Sequence, residues 1–275
     1  MSTTKPLATI EQRTIASYAI ETLFLRRCIA LVAAAALTLF VNAAAQAALV
    51  FADDTFNDAD WTEAVVVQTG NGGSVSGDQD GTNGNPLPSR RVVSTVNAAP
   101  SATTTSSVGA FHQRLGFTYD PQSQGAVPWI EMTLDARQFD PPFSSSAGQR
   151  VNAAIIQDGT VYVSSDGFLV PELSWTTKQI GPQGQDDFAA AGGGGQPDFS
   201  ASGAPFGIGF FTTNSTSAGS SGFTTTVNYD NWTFSVVPEP SSAVFLGAAA
   251  LAFFAIRRLH FQANAAISAN TRKAG

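Results

Sequence analysis

Residues 155–163 (IIQDGTVYV) indicate the fold class most clearly, because two short apolar stretches flank the pair Asp158-Gly159. An Asp-Gly pair favours the type I′ turn, whose twist matches that of two paired antiparallel strands. This stretch therefore predicts a β-hairpin. The surrounding chain is rich in Thr, Ser, Val, Gly and Phe, and no long stretch shows helical periodicity. Turn residues recur roughly every ten positions, which is typical of an all-β domain.

Nine stretches have the composition of β-strands, and they span residues 63–69, 91–96, 108–119, 129–136, 151–157, 160–164, 174–180, 206–213 and 223–236. Three stretches rich in Gly, Ser, Asn or Gln predict loops, and they span residues 70–88, 181–205 and 214–222. Strands in this number, without intervening helices, predict two packed antiparallel sheets. The fold class expected from the sequence is therefore an antiparallel β-sandwich.

Two of the predicted strands also indicate which side chains are buried. In residues 129–135 (WIEMTLD) every second position is apolar, so one face should be buried, and Trp129 falls on the polar face. In residues 223–236 the apolar positions change parity at Asp230-Asn231. A β-bulge of one extra residue there would keep the apolar side chains on one face. The same bulge would direct Asp230 and Asn231 towards a common spot.

Three short segments carry a resemblance to a known fold family. Residues 53–61 (DDTFNDADW), 206–210 (FGIGF) and 229–234 (YDNWTF) resemble the opening and late strands of concanavalin A-like and laminin G-like jelly rolls. The resemblance implies a lectin-like jelly roll in which the first and last strands are adjacent.

The end of the chain has three parts in a fixed order. The motif Pro238-Glu239-Pro240 is followed by an uncharged apolar run, residues 243–256, and then by Arg257-Arg258. This order resembles the PEP-CTERM sorting signal of Gram-negative bacteria. The resemblance implies export, transient anchoring in the inner membrane by a C-terminal transmembrane helix, and processing by an exosortase, a membrane transpeptidase-like enzyme.

The physical properties of this tail agree with that interpretation. Each proline fixes its own φ and disfavours helix in the residue before it, which predicts an extended segment. The apolar run is shorter than the ~20 residues of a full span. Arg257 and Arg258 would remain cytoplasmic under the positive-inside rule. The alternative is a buried core helix of a soluble protein.

The start of the chain predicts a secretory signal peptide. Arg26-Arg27 precede an apolar run over residues 28–41, and Ala45 and Ala47 form an A-x-A cleavage site. The alternative is a membrane anchor that is retained. The expected organisation is a signal helix over residues 1–47, a β-sandwich over 48–236, a sorting signal with transmembrane helix over 237–258 and a polar cytoplasmic tail over 259–275. The expected location is the cell surface or the extracellular space.

Charge and cysteine content narrow the function class. Residues 48–240 contain six basic and nineteen acidic residues, a net charge of −13. This balance argues against binding to nucleic acid or to anionic membranes. The only cysteine, Cys28, lies in the signal peptide, so the domain contains no disulfide.

Clusters of acidic residues predict calcium binding at one of two places. Asp53 and Asp54 lie near the first strand, and Asp230 and Asn231 lie near the end of the last strand. If those strands are neighbours, the oxygens of these side chains could converge on one Ca²⁺, which takes six to eight oxygen ligands.

The second candidate calcium site lies in residues 77–85 (GDQDGTNGN), where Asp78 and Asp80 alternate as in a calcium loop. The EF-hand pattern is incomplete, because Thr82 replaces the third acidic position and no Glu closes the loop. The alternative for both candidates is that they are ordinary solvated turn residues.

The candidate residues for sugar binding differ from those for catalysis. Trp129 is the candidate for stacking on a sugar, whereas tryptophans in a β-sandwich usually belong to the core. Glu131 and Asp135 are four residues apart and lack the acid between them that glycosidases of the resembling fold carry. No Gly-x-Ser-x-Gly motif is present and no cysteine survives export, so we expect no enzyme activity.

These observations predict an exported, non-catalytic protein of the cell envelope or extracellular matrix. Its expected partners are an exosortase, the inner membrane and an exopolysaccharide, with calcium as an assisting ion. Two alternatives remain open at this point. One is a glycan-active enzyme of lectin-like fold, and the other is a purely structural surface protein without a ligand.

Overall fold

The computed structural model describes residues 48–139 and 149–239, and also residues 253, 257 and 258. Residues 48–139 and 149–239 belong to one compact unit, to which the description below applies. Among the described residues, no helix combines the length and the apolar character needed to cross a membrane. The predicted signal peptide, Pro240 and most of the predicted transmembrane segment lie outside the described residues.

Twelve strands make up most of the described chain. They are β1 (Leu49–Asp53), β2 (Trp61–Thr69), β3 (Gly73–Asp80), β4 (Ser89–Val96), β5 (Ser107–Tyr119), β6 (Trp129–Gln138), β7 (Gln149–Gln157), β8 (Thr160–Val170), β9 (Thr176–Gln183), β10 (Phe188–Ala190), β11 (Phe206–Ser215) and β12 (Phe223–Val237). One helical turn, α1 (Pro121–Gln124), and two 3-10 turns, η1 (Asp58–Asp60) and η2 (Gln185–Asp187), connect them.

The strands form two antiparallel sheets, which confirms the predicted fold class. Sheet A has the order β3-β4-β12-β6-β9, and β1 also pairs with β12. Sheet B has the order β10-β8-β7-β11-β5-β2. The first and last strands are adjacent as expected, with Leu49 opposite Val236.

The core lies between the two sheets and is rich in aromatic rings. Trp61 of sheet B lies 5.5 Å from Phe210 of the same sheet and 5.3 Å from Trp232 of sheet A, measured between ring centroids. All three side chains are at most 5% exposed. Burial of such rings provides most of the hydrophobic stabilisation available to a domain without disulfides.

The predicted hairpin and bulge are both present. Asp158 and Gly159 have φ of +50° and +75°, the left-handed values that a type I′ turn requires. The register between β12 and β6 shifts between Asp230 and Thr233, with Asn231 at φ +49°. Because of this extra residue, Tyr229 and Trp232 on either side of the bulge are both fully buried.

All nine predicted strands are present, but three strands were not predicted: β1, β3 and β10. The strand β3 lies in the stretch 70–88 that was expected to be a loop. It pairs only with β4, along the edge of sheet A, and alternate residues are exposed. Glycine and serine are tolerated there because an edge strand has little side-chain packing to provide.

Candidate functional site

The β12 bulge brings Asp230 and Asn231 to the loop between β3 and β4. Asp230 is fully buried, and its carboxylate accepts hydrogen bonds from the backbone N–H groups of Asn231 (2.7 Å) and Asn85. The Asn231 amide donates to the Asn85 carbonyl and to Asp135 Oδ2, the latter at 2.8 Å. Asn85 is thus the common spot that the change of parity predicted.

Asp135 lies opposite Asp230 on β6 and completes this bulge cluster. Its Oδ1 accepts a hydrogen bond from Thr177 Oγ1 (2.6 Å), and its Oδ2 accepts one from Asn85 Nδ2 (3.0 Å). All four carboxylate oxygens of the pair therefore accept hydrogen bonds. Burial raises the pKa of Asp230, and the nearby charges of Asp135 and Asp54 raise it further, while the two backbone N–H groups oppose the shift.

The structure separates Asp53 from Asp230. Asp53 pairs with Trp232 and faces the inside of the sandwich, whereas Asp230 faces the outside of sheet A opposite Asp135. Asp53 Oδ2 accepts a hydrogen bond from Trp61 Nε1 (3.0 Å) and forms an ion pair with Arg114. The predicted convergence on one ion is therefore not observed. Of the two acidic residues near the first strand, it is Asp54, which is exposed, whose charge raises the pKa of Asp230.

The second oxygen of Asp53 holds the start of the loop after β1. Its Oδ1 accepts hydrogen bonds from the backbone N–H groups of Thr55 (2.8 Å) and Phe56 (2.9 Å). Burial opposes the charged form, but the hydrogen bonds from Phe56, Thr55 and Arg114 outweigh it and keep the pKa of Asp53 below its usual value.

Asp78 and Asp80 lie on β3 and have partners within the protein. Asp78 forms an exposed ion pair with Arg91. Asp80 accepts hydrogen bonds from the N–H of Thr82 (2.9 Å) and from Asn228 Nδ2 (3.0 Å), among others. Burial would raise the pKa of Asp80, but these hydrogen bonds lower it well below its usual value. Asp80 therefore fixes the turn that follows β3.

The predicted calcium ligands do not form a calcium site in this arrangement. Over residues 48–139 and 149–239, no three acidic, histidine or cysteine side chains come together as a metal would require. The carboxylate oxygens of Asp53, Asp80 and Asp230 already accept N–H or O–H groups. The residues therefore do not fit a calcium ion as they are placed, and calcium binding stays a prediction from the sequence.

Trp129 lies on the outer face of sheet A, on the polar side of its strand as expected. Its side chain is 43% exposed, whereas Trp61 and Trp232 are buried. Around it are polar side chains of the same face, which with Trp129 define the Trp129 surface: Glu131 and Thr133 on β6, and Thr233 and Ser235 on β12. These four residues are half-buried, so the ring is the most exposed part of this surface.

A concave feature lies at the edge of sheet B, beside η2. This η2 cleft has a volume of about 550 Å³ and is lined by Val163, Ser165, Asp186, Asp187, Phe188, Ala189, Gly194, Gly195 and Gln196. Sequence reasoning missed it, because its walls come from three separate segments within a stretch largely expected to be a loop. The only signal was the proximity of Asp186-Asp187 to the glycine run at residues 192–195.

A buried polar cluster lies inside the sandwich. Arg90 is 1% exposed, and its Nη2 donates to Glu63 Oε2 at 2.7 Å. His112 is fully buried, with its Nε2 3.0 Å from Thr212 Oγ1. Burial and the Arg90 charge together hold the pKa of His112 well below its usual value, so His112 is neutral in the folded protein.

The described part of the sorting motif rests on the compact unit. Pro238 is buried, and the Glu239 N–H donates to the Ala126 carbonyl at 2.7 Å. Arg257 and Arg258 are helical and exposed. Pro240 and the predicted cleavage residues Ala45 and Ala47 lie outside the described residues.

Glu131 and Asp135 share the outer face of β6 but do not form a free pair of carboxylates. Asp135 is 7% exposed, and both of its oxygens accept hydrogen bonds from Thr177, Asn85 and Asn231. A carboxylate held in this way is not available as the acid or base partner of a glycosidase pair, which needs two groups facing a substrate.

No protein-family model matches the sequence, and no curated protein matches it. Several solved structures are similar at low sequence identity. The CBM22-1 xylan-binding domain of Xyn10C from Paenibacillus barcinonensis is 12% identical, covers 69% of this chain and 94% of its own, and has a TM-score of 0.33. The family 30 carbohydrate-binding module of the cellulosomal cellulase Cel9D-Cel44B of Clostridium thermocellum is 14% identical (68% and 96% covered, TM-score 0.37). The xylan-binding module CBM15 is 12% identical (70% and 99% covered, TM-score 0.36). Scores of this size do not assign the chain to any of these families.

Proposed function

We propose that this protein is an exported, non-catalytic polysaccharide-binding module that contacts its ligand through the Trp129 surface. The observation that supports this proposal is the exposed indole of Trp129 among half-buried polar side chains of the same sheet face. An aromatic ring offers a flat apolar platform for a sugar ring, and the neighbouring hydroxyl and carboxylate groups can hydrogen-bond its hydroxyl groups. The ligand expected from the sequence is the exopolysaccharide of the producing cells.

The test is binding of the full chain, purified in detergent, to that exopolysaccharide and to neutral polysaccharides, with added calcium and again with a chelator. Trp129→Ala should weaken binding by about 2 kcal/mol or more, roughly thirtyfold in Kd, as expected for truncation of a central aromatic anchor. Trp129→Phe should retain part of the affinity. Leu115→Ala is the matched control, because Leu115 is similarly exposed (42%) but lies on sheet B.

The outcomes separate the alternatives. Binding that survives Trp129→Ala unchanged would overturn the assignment of the site. No binding to any polysaccharide would favour a structural surface protein without a ligand. Loss of binding in chelator alone would support the calcium prediction, whereas hydrolysis of the polysaccharide would favour the glycan-active enzyme.

Sorting by an exosortase is the second part of the proposal, and it is supported by the Pro-Glu-Pro motif, the apolar run and the arginine pair. In the producing cells, wild-type protein should reach the surface or the medium. A variant with Pro238, Glu239 and Pro240 all replaced by alanine should accumulate in the inner membrane. Equal distribution of the two proteins in cell fractions would contradict this part of the proposal.

A further inference from the structure

We propose that the η2 cleft is a second saccharide subsite, and that its carboxylates restrict the ligand to neutral or amine-bearing polysaccharides and exclude those rich in uronic acid. This inference rests on the proposed function, because it defines the substrate class of the same module. It is carried by the shape of the cleft, by its unpaired polar groups and by its charge.

The cleft has the dimensions and lining of a ligand site. Its volume of about 550 Å³ lies within the range of roughly 300–1,000 Å³ that small-molecule sites occupy. Val163 and Ala189 provide apolar wall, while Ser165, Asp186 and Gln196 provide hydrogen-bonding side chains. Within the described part of the chain, none of these three side chains has a hydrogen-bond partner, so their donors and acceptors are available to sugar hydroxyl groups.

The charge of the cleft selects the class of sugar. Asp186 and Asp187 line it, and no basic residue does. Arg150 contacts the rim, but its guanidinium donates to the Ser165 backbone carbonyl at 3.3 Å. Elsewhere in the unit four of the six basic residues form ion pairs with carboxylates, namely Arg90, Arg91, Arg114 and Lys178. A polyanionic chain would therefore meet two carboxylates in the lining against one cation at the rim, Arg150, so repulsion outweighs attraction.

A short run of backbone connects the cleft to the Trp129 surface. Ile130 pairs with Gln183 at the end of β9, and Gly184 follows directly. A Cβ at Gly184 would lie 3.4 Å from the Pro128 carbonyl, just before Trp129. On its other side, the Gly184 N–H donates to Asp187 Oδ2 at 2.8 Å. The lining of the cleft thus begins near the strand end that carries Trp129, but Val163 and Ala189 project from the outer face of sheet B, so the cleft is a subsite separate from the Trp129 surface.

The experiment compares the full chain with its Asp186→Asn and Asp186→Lys variants by affinity electrophoresis in three gels, which contain neutral arabinoxylan, amine-bearing chitosan or polygalacturonate. Wild type should be retarded by the first two and not by the third. Asp186→Asn should weaken binding to the neutral polymer by roughly tenfold, the effect of losing one hydrogen bond to a charged group. Asp186→Lys should gain binding to polygalacturonate. Asp158→Asn, at the tip of the β7–β8 hairpin, controls for the loss of one exposed carboxylate.

Failure of this inference is distinguishable from failure of the proposed function. If both Asp186 variants bind all three polymers as wild type does, while Trp129→Ala loses binding, the cleft is not a subsite and the proposed function stands. If wild type binds polygalacturonate as tightly as arabinoxylan, the exclusion by charge is wrong. If wild type binds none of the three polymers, the inferred substrate class is wrong. If it also fails to bind the exopolysaccharide of the producing cells, the proposed function falls with it.

Discussion

The bulge cluster and the η2 cleft are both acidic, yet their oxygens have opposite roles. In the bulge cluster, Asp135 and Asp230 are almost entirely buried, and all of their carboxylate oxygens accept hydrogen bonds from the protein. In the cleft, Asp186 is exposed and has no partner among the described residues. The comparison teaches that clustered acidic residues do not by themselves indicate a binding site. The number of acceptors left without a donor is the better indicator.

The physical reason is the cost of burial. A carboxylate removed from water must find donors within the protein, or the folded state loses several kcal/mol. Asp53 and Asp230 meet this requirement by holding loops in place. Asp186 remains exposed to solvent, so a ligand hydroxyl can replace its hydrating water at a small cost in free energy.

Among the carboxylates that hold loops, Asp53 is expected to contribute most to stability, so Asp53→Ala should cause the largest loss in the free energy of unfolding. The change leaves Arg114 without its most buried partner and the buried Trp61 Nε1 without an acceptor. Breaking a buried pair by removing one partner lowers the free energy of unfolding by about 3–5 kcal/mol. Urea denaturation followed by tryptophan fluorescence measures this loss. A variant as stable as wild type would show that Asp53 does not hold the loop.

Asp230→Ala is expected to have the next largest effect. It removes the acceptor for the N–H groups of Asn85 and Asn231, and we expect a loss of about 2–3 kcal/mol in the free energy of unfolding. The pKa of Asp230 is raised in the folded state, so its ionisation opposes folding. The advantage of wild type over the variant should therefore narrow as the pH rises through and above 3.8. An advantage that widens instead would contradict the direction of this pKa shift.

Added calcium tests directly whether the bulge cluster, like the η2 cleft, can act as a binding site through Asp230. Because the oxygens of Asp230 already have donors, added calcium should leave the melting temperature of wild type unchanged. A calcium-dependent rise that disappears in Asp230→Asn would show that the cluster rearranges around an ion. That result would place the bulge cluster among the binding sites.

His112 is a buried base, and its burial should make the stability of the protein depend on pH. Its pKa lies below the usual 6.5 in the folded protein, so the unfolded chain binds a proton that the folded chain does not. Stability should therefore fall as the pH drops below 6.5, by up to about 1.4 kcal/mol per pH unit until the folded-state pKa is reached. Chemical denaturation at a series of pH values should show this slope in wild type and not in His112→Gln. Equal slopes would mean that another group is responsible.

The smallest effect on stability is expected for Asp186→Asn. Asp186 is exposed and has no partner among the described residues, so the free energy of unfolding should stay within about 0.5 kcal/mol of wild type. The same denaturation measurements serve as the test. A loss comparable to that of Asp230→Ala would mean that the two acidic regions are alike, and it would remove the basis for treating the cleft as a binding site.

Much of the fold could be predicted from local pattern. The Asp158-Gly159 turn, the alternation around Trp129 and the parity change at Asp230 each depend on neighbours along the chain, and the structure has all three. The strand β3 was missed because its glycines and serines have low strand propensity, and its pairing with β4 becomes visible only once sheet A is assembled.

The candidate sites were harder to predict, because their partners are distant in sequence. Asp53 resembled a calcium ligand until Arg114, 61 residues away, was found paired with it. Asp230 likewise meets Asn85 across 145 residues. The η2 cleft has no local pattern beyond the proximity of Asp186-Asp187 to the glycine run, since its lining comes together only when β8, η2 and that run meet. Trp129 could be predicted because exposure on a strand follows from alternation alone.

The pairing of β1 with β12 also determines how the module responds to mechanical load. Leu49 lies opposite Val236, so the chain enters and leaves the sandwich at the same end of one antiparallel ladder. Tension between the two ends acts perpendicular to that ladder and opens its hydrogen bonds one after another, as in a zipper. Tension between the C-terminal end and a polymer held at Trp129 follows a much shorter route, because Trp129 pairs directly with Val237. If the protein is anchored and loaded as proposed, the pull reaches the C-terminal end through the β6–β12 strand pair.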